Sequence, residues 1–440
     1  MNKVTAGIIV LGAVFFSTAA AQEEARPSLA RQKVIPPLPT DANVKVGPIL
    51  LRFTATLRSE FVDNVNLSNG KVAPIESDFI LYPQLGIDAA WPITKLNVLR
   101  FHTTVGITKY FRHPELGTND LLVSPDSELR FDIYTGDFRI NLHDQFSLQE
   151  DPVGQGTLSN VSKFGRFTNS VGLGVLWDLN DVVLTAGYDH SDFIVTGTTT
   201  AVNPASPTQN TSALNRATEQ ISASAVFNLD PAVSAGLESN ASLSSYADAP
   251  QNDATRVSAG PFAQLLLSRY TRVYASAGYQ GTFFDQPART PAAATTAGPN
   301  GLQLLPPPAS VSAHPNSFYL NFSIAHRLNR YYQDRLSIGH DSQLGLFSQS
   351  TETTYVNYAS GFQLSPVLLL STAIFLEDTV ESGAQSSAPF KRFGCTLSTG
   401  YRITKKLSAS FFYQYIQKIS DSDTQDYRQN RVGLGLSYQF

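Results

Sequence analysis

The sequence predicts an all-β protein, a closed antiparallel transmembrane β-barrel of a bacterial outer membrane. Three observations carry this: an export leader, a long series of segments in which apolar and polar residues alternate, and connections that are alternately short and long.

The leader comes first. Lys3 supplies a positive start, Gly7 to Phe16 is a short apolar run, and Ala19-Ala20-Ala21 offers a small-residue cleavage site before Gln22. That is the pattern of a cleaved signal peptide over residues 1–21. The apolar run is too short for a membrane-spanning helix, which needs about twenty residues. No cysteine stands at the cleavage site to take a lipid anchor. Residues 22–47 are Pro-rich and charged, as in Arg31-Gln-Lys-Val-Ile-Pro-Pro-Leu-Pro39. Such a composition cannot bury a core and reads as a flexible periplasmic segment, with a short plug entering the lumen as the alternative.

Residues 48–440 carry the barrel pattern. In the last segment Val432, Leu434, Leu436, Tyr438 and Phe440 fall on one face, and Arg431, Gly433, Gly435, Ser437 and Gln439 on the other. Successive strand side chains point to opposite sides, so one face meets lipid and the other a wet interior. Leu99 to Ile107, Val171 to Trp177, Phe318 to Ile324 and Phe393 to Tyr401 repeat the alternation. These segments run to ten residues or more, beyond the five or six usual in a soluble sandwich.

Short connections rich in Asn, Asp, Pro and Gly follow Trp91, Tyr134, Leu179, Leu229, Ser268, Asn329, Leu364 and Ile403. Longer stretches separate them. About eighteen strands result, with sixteen the alternative, because an even count closes an antiparallel barrel. Short turns face the periplasm and long loops the outside, so both termini are periplasmic. Trp91, Trp177, Phe227, Tyr401, Tyr438 and Phe440 are expected to form the inner aromatic girdle.

Composition excludes other classes. The single cysteine, Cys395, rules out an intramolecular disulfide, and no His cluster has metal-ligand spacing. A formal charge of -4 gives no reason to expect nucleic-acid binding. No cofactor is implied.

The inward parity of the early strands holds a basic set, Arg52, Arg58, Arg100, Arg130 and Arg139, with His102 and His143. Rings of basic side chains bias a pore toward anions. Asp88 and Asp132 share that parity, as do Glu128, Asp189, Glu238 and Asp341, and pairing with them would neutralise the wall. The third long connection, Glu150 to Gly165, is a candidate constriction loop. An ordinary external loop is the default; as the alternative, Glu150 and Asp151 facing Arg100, Arg130 and Arg139 would set a transverse field across an eyelet.

Two motifs resemble known families. Gly435, Tyr438 and Phe440 in the terminal Gly-Leu-Ser-Tyr-Gln-Phe resemble the signal read by the barrel-assembly machinery, which implies that machinery as a partner. Glu60-Phe-Val-Asp63-Asn64-Val-Asn-Leu67 followed by Ser77-Asp78-Phe79 resembles the first hairpin of uncharacterised outer-membrane beta-barrel porin families, some encoded with exopolysaccharide genes. His143-Asp-Gln-Phe146 to Asp151-Pro152, and Trp177-Asp178-Leu-Asn180 to Tyr188-Asp-His190, are similar to their middle region. The resemblance implies a fold and a membrane.

His340-Asp341-Ser342 resembles the His-x-Ser element of outer-membrane phospholipase A and the lipid A deacylases. There a lipid-facing Ser uses its His as base. Gln343 replaces the Asn that follows the Ser in those families, and Glu352 is the best orienting candidate.

The expected function is therefore not enzymatic: a porin-like channel for passive diffusion of small hydrophilic solutes. An accessory barrel for surface polysaccharide export or anchoring is the alternative, and a lipid hydrolase the second. Outer-membrane lipid and lipopolysaccharide surround the barrel in this reading, and a homo-oligomer is left open.

Overall fold

The computed structural model describes residues 42–117, 121–196, 200–201, 214–247, 253–285, 316–346, 348–382 and 389–440. The expected leader and most of the 22–47 segment lie outside these residues.

A single sheet of twenty strands closes on itself. Two of the twenty are short, Val44–Val46 and Lys109–Tyr110, leaving eighteen that form the wall. In chain order they are β1 (Ile49–Val62), β2 (Asp78–Pro92), β3 (Val98–Gly106), β4 (Leu122–Thr135), β5 (Phe138–Gln149) and β6 (Arg166–Asp178). Next come β7 (Val182–Val195), β8 (Arg216–Asp230), β9 (Val233–Tyr246), β10 (Ala254–Ser268), β11 (Thr271–Phe284) and β12 (Asn316–His326). The last six are β13 (Tyr332–Leu344), β14 (Ser350–Ser365), β15 (Leu368–Ser382), β16 (Phe390–Arg402), β17 (Leu407–Ser420) and β18 (Tyr427–Gln439).

Each strand pairs antiparallel with its sequence neighbour, and β18 returns to β1, with registers running from Thr54↔Gln439 to Val62↔Arg431. Closure matters because a lipid-exposed edge would leave backbone groups unpaired in hydrocarbon. The parity reading holds. Val432, Leu434, Leu436 and Tyr438 lie exposed on the outside, Leu434 at 60 %, while Arg431 on the opposite face is buried. The expected girdle residues are likewise exposed at the short-turn end, and Trp177 stacks on Phe138 with centroids 5.4 Å apart.

The eight short connections fall where the Asn, Asp, Pro and Gly residues placed them. The β4–β5 turn is only Gly136 and Asp137, with Gly136 at φ +55°, a conformation that glycine adopts without cost.

Asn43 sharpens the expected N-terminal boundary. Val44–Val46 folds back as a strand on Ile49–Leu51, inside the segment expected to be flexible to residue 47. The Asn43 side chain donates to the Phe440 carbonyl (2.8 Å) and accepts from the Phe53 N–H (3.3 Å). The first and last strands of the barrel are thereby tied together at the β1–β18 seam.

Inside, several rings lie over glycines on adjacent strands. Tyr355 covers its register partner Gly339, Phe375 covers Gly394, and Phe412 covers Gly433. A Cβ at these glycines would meet ring atoms, so the missing side chain lets each ring lie along the wall.

Candidate functional site

The interior carries two polar constellations, one near the short-turn end and one beneath the long loops. The first contains the early basic set. Asp132 on β4 is buried and accepts from Arg130 Nε (3.1 Å), Arg139 Nη2 (3.1 Å) and Asn141 Nδ2 (3.0 Å). Arg100 stands opposite Arg130 on β3, so three cations surround one carboxylate. Arg52 donates to Asp88 (2.9 Å), and His102 lies between Asp88 (2.8 Å) and Asp126 (3.1 Å). His143 Nε2 is 2.8 Å from Asp189. Arg58 is the exception in the early set: it lies toward the long-loop end of β1, 4.3 Å from the centre of the Tyr82 ring, whose hydroxyl donates to buried Glu60 (2.7 Å) beside Arg431. Much of the wall is therefore paired.

The second constellation is built around residues 150–165. This connection leaves β5 and returns on β6, yet its partners lie on strands far around the barrel. Asp151 makes a two-pronged pair with Arg431 on β18 (2.6 and 3.0 Å). The Val153 carbonyl accepts from Arg392 on β16 (3.1 Å), and Arg392 also holds Glu377 on β15 (3.0 Å). Lys418 on β17 donates to the Thr157 carbonyl (3.2 Å) and the Ser159 hydroxyl (3.1 Å). Val153 packs in a buried cluster with Leu67, Ile416 and Tyr427. Farther along, Leu158, Val161 and Phe164 pack with Leu214, Phe193 and Leu346. Contacts to both β16–β18 and the β13–β14 connection require the loop to lie across the lumen.

Burial pushes the Asp151 carboxyl up, but the Arg431 charge and hydrogen bonds outweigh it and hold the group below the usual carboxylate range. Arg166 at the start of β6 donates to the Asp151 carbonyl (2.9 Å), fixing the loop's exit.

This geometry corrects the expected facing of the loop acids. Asp151 meets Arg431, and Glu150 meets Lys163 within its own loop (2.9 Å); neither faces Arg100, Arg130 and Arg139. The reason is length. Arg139 is the second residue of twelve-residue β5, and Asp151 follows its far end, so about 35 Å of strand separates the two groups. The residues that sequence reasoning passed over are Arg392, Lys418 and Arg431. Their inward parity was readable, but nothing local marked them as partners of a loop near residue 150.

The first-hairpin motif proves to be loop architecture. Asn64, Asn66 and Ser68 are buried, and their side chains bond backbone within the loop and on β18. Asp78 accepts from the backbone N–H groups of Phe111, Arg112 and His113.

The His-x-Ser element is not assembled as a catalytic pair. His340 stacks outward on Phe318 at 4.6 Å, with Nδ1 2.9 Å from Thr354 Oγ1 and Nε2 3.3 Å from Ser317 Oγ. Both ring nitrogens are engaged away from buried Ser342. Asp341 between them points inward to Arg256 (2.6 Å).

No family model and no curated protein matches the chain. Among solved structures, Pseudomonas aeruginosa OpdK, crystallised with vanillate, is similar at 10 % identity and TM-score 0.44, over 89 % of this chain and 99 % of that one. Acinetobacter baumannii OccAB3 is similar at 9 % identity and TM-score 0.45, over 89 % and 99 %. Pseudomonas aeruginosa OccK2, in complex with glucuronate, gives 9 %, 0.45, 89 % and 98 %. At these scores the likeness carries no argument, and the fold stands on the strand ladders themselves. The closed barrel agrees with the fold that the porin-family resemblance implies.

Proposed function

We propose that this protein is an outer-membrane channel through which small hydrophilic solutes diffuse passively, narrowed by the 150–165 loop. The observation that carries the reading is the loop's anchoring across the lumen of an eighteen-stranded barrel. A barrel much larger than eight strands has an interior that its own wall side chains do not fill. Charged and polar residues face that interior, while a continuous apolar face meets lipid, so the barrel belongs in a membrane and its bore stays wet.

The cations around Asp132 bias the bore toward anions, because charged side chains act on passing ions at close range. The cluster lies near the short-turn end, where solute leaves the constriction. Gly435, Tyr438 and Phe440 at the β18 terminus serve as the assembly signal in this account. The test is ion conductance of the purified protein in planar bilayers. Stable conducting steps with a preference for anions are expected, and Arg100→Glu with Arg139→Glu should move the reversal potential toward cation preference. An inserted barrel that never conducts, with or without the 150–165 loop, would contradict the reading.

A further inference from the structure

The wall of β10–β14 carries a group of side chains that the loop does not use. Tyr319 on β12 and Tyr355 on β14 share the inward parity, since Phe318, Leu320, Phe362 and Leu364 beside them are exposed outside. Gly339 on β13 is the register partner of Tyr355, and a Cβ there would come within 2.5 Å of that ring. Tyr319 lies in the same way over its register partner Gly278 on β11, its hydroxyl reaching Gly260 on β10. Each ring is thus laid against a glycine of the wall and stays partly exposed.

Tyr319 leans toward β11 and β10, so β12 separates its ring from that of Tyr355, which leans onto β13. The inward β13 residue Asp341 is bridged by Arg256 Nη2 (2.6 Å) and approached by Gln343 Nε2 (3.2 Å). Arg256 and Asp341 are 24 % and 25 % exposed, so both retain surface toward the bore. Their charges cancel. The contrast with Asp132, ringed by three cations, decides the ligand class, because a balanced pair gives no net pull on an anion.

We propose that Tyr319, Tyr355, Arg256, Asp341 and Gln343 form a binding site for neutral carbohydrate on the inner wall. A pyranose has an apolar C–H face that stacks on a flat aromatic ring. Its hydroxyls need both donors and acceptors at the ring edge, and the ion pair with Gln343 offers both. Two rings set apart on the wall beside the Arg256–Asp341 bridge fit an oligosaccharide of at least two units. The inference rests on the channel reading for its biological use, but binding itself does not require conduction.

The experiment uses maltohexaose as probe on the purified full-length barrel in detergent, read by titration calorimetry, with polyethylene glycol of similar size as control. Saturable binding of maltohexaose and none of the glycol is expected. Tyr355→Ala together with Tyr319→Ala should weaken binding at least tenfold, and Tyr355→Phe should retain it, with heat-modifiable gel migration reporting that each variant is folded. In planar bilayers the same sugar should interrupt the ion current of the wild type and not of the double variant. Absence of heat with maltohexaose, or binding undiminished in the folded double variant, overturns the site. Failure of the channel reading shows differently, as absent conductance in sugar-free buffer while the calorimetric binding persists.

Discussion

Two walls of one barrel have been put to different uses. On β16 to β18 the inward side chains Arg392, Lys418 and Arg431 are all buried against the loop they hold. From β9 to β13 the inward positions include the buried hydroxyls Ser234, Ser276, Ser323 and Ser337. The first wall grasps a loop; the second turns these short hydroxyls inward. Neither difference affects the strand ladders, which run continuously around both. Backbone pairing builds the barrel, and inward side chains decide where it is filled.

The largest effect that would break this contrast is at Arg431. It faces Asp151 and Glu60 (3.7 Å) from one buried position, and removing it takes from Asp151 its two-pronged partner, while Glu60 keeps Arg58 (3.9 Å). Breaking a buried pair by losing one partner costs about 3–5 kcal/mol. Arg431→Met should therefore free the loop, raising single-channel conductance and opening the loop to protease; adding Asp151→Asn should recover part of the loss.

Acid should act on the same anchor more mildly. The Asp151 carboxyl is held below its ordinary value in the folded state, so its contribution is complete above about pH 3.9 and is lost as pH falls through the folded value. Conductance noise should be flat from neutral pH down to about 5 and rise only in stronger acid; Asp151→Asn should show no such step.

These two tests also show what a linear reading could reach. The strand parity of β18 and the short turns follow from local chemistry, since each rests on neighbours within a few residues. The choice of Arg431 over Arg100 as partner of Asp151 depends on the path of a loop across the lumen, which no local pattern records. His340 shows the same limit: its outward parity was legible, but the competing hydroxyls of Thr354 and Ser317 come from neighbouring strands.

The smallest effect belongs to the seam that both walls share. Asn43→Ala removes one bond to Phe440 and one from Phe53, an exposed and a half-buried contact, worth about 1 kcal/mol each at most. A slight fall in the unfolding midpoint in denaturant is expected, with conductance unchanged. Loss of Phe440 should instead show before folding is complete, as reduced outer-membrane levels and protease-sensitive chain.

The most direct test of the account is the single-channel conductance of the wild type beside a variant in which residues 152–162 are replaced by a short Gly-Ser link. If the loop narrows an otherwise open barrel, the wild type conducts and the variant conducts several-fold more. Equal conductance in the two, or none in either, would contradict it.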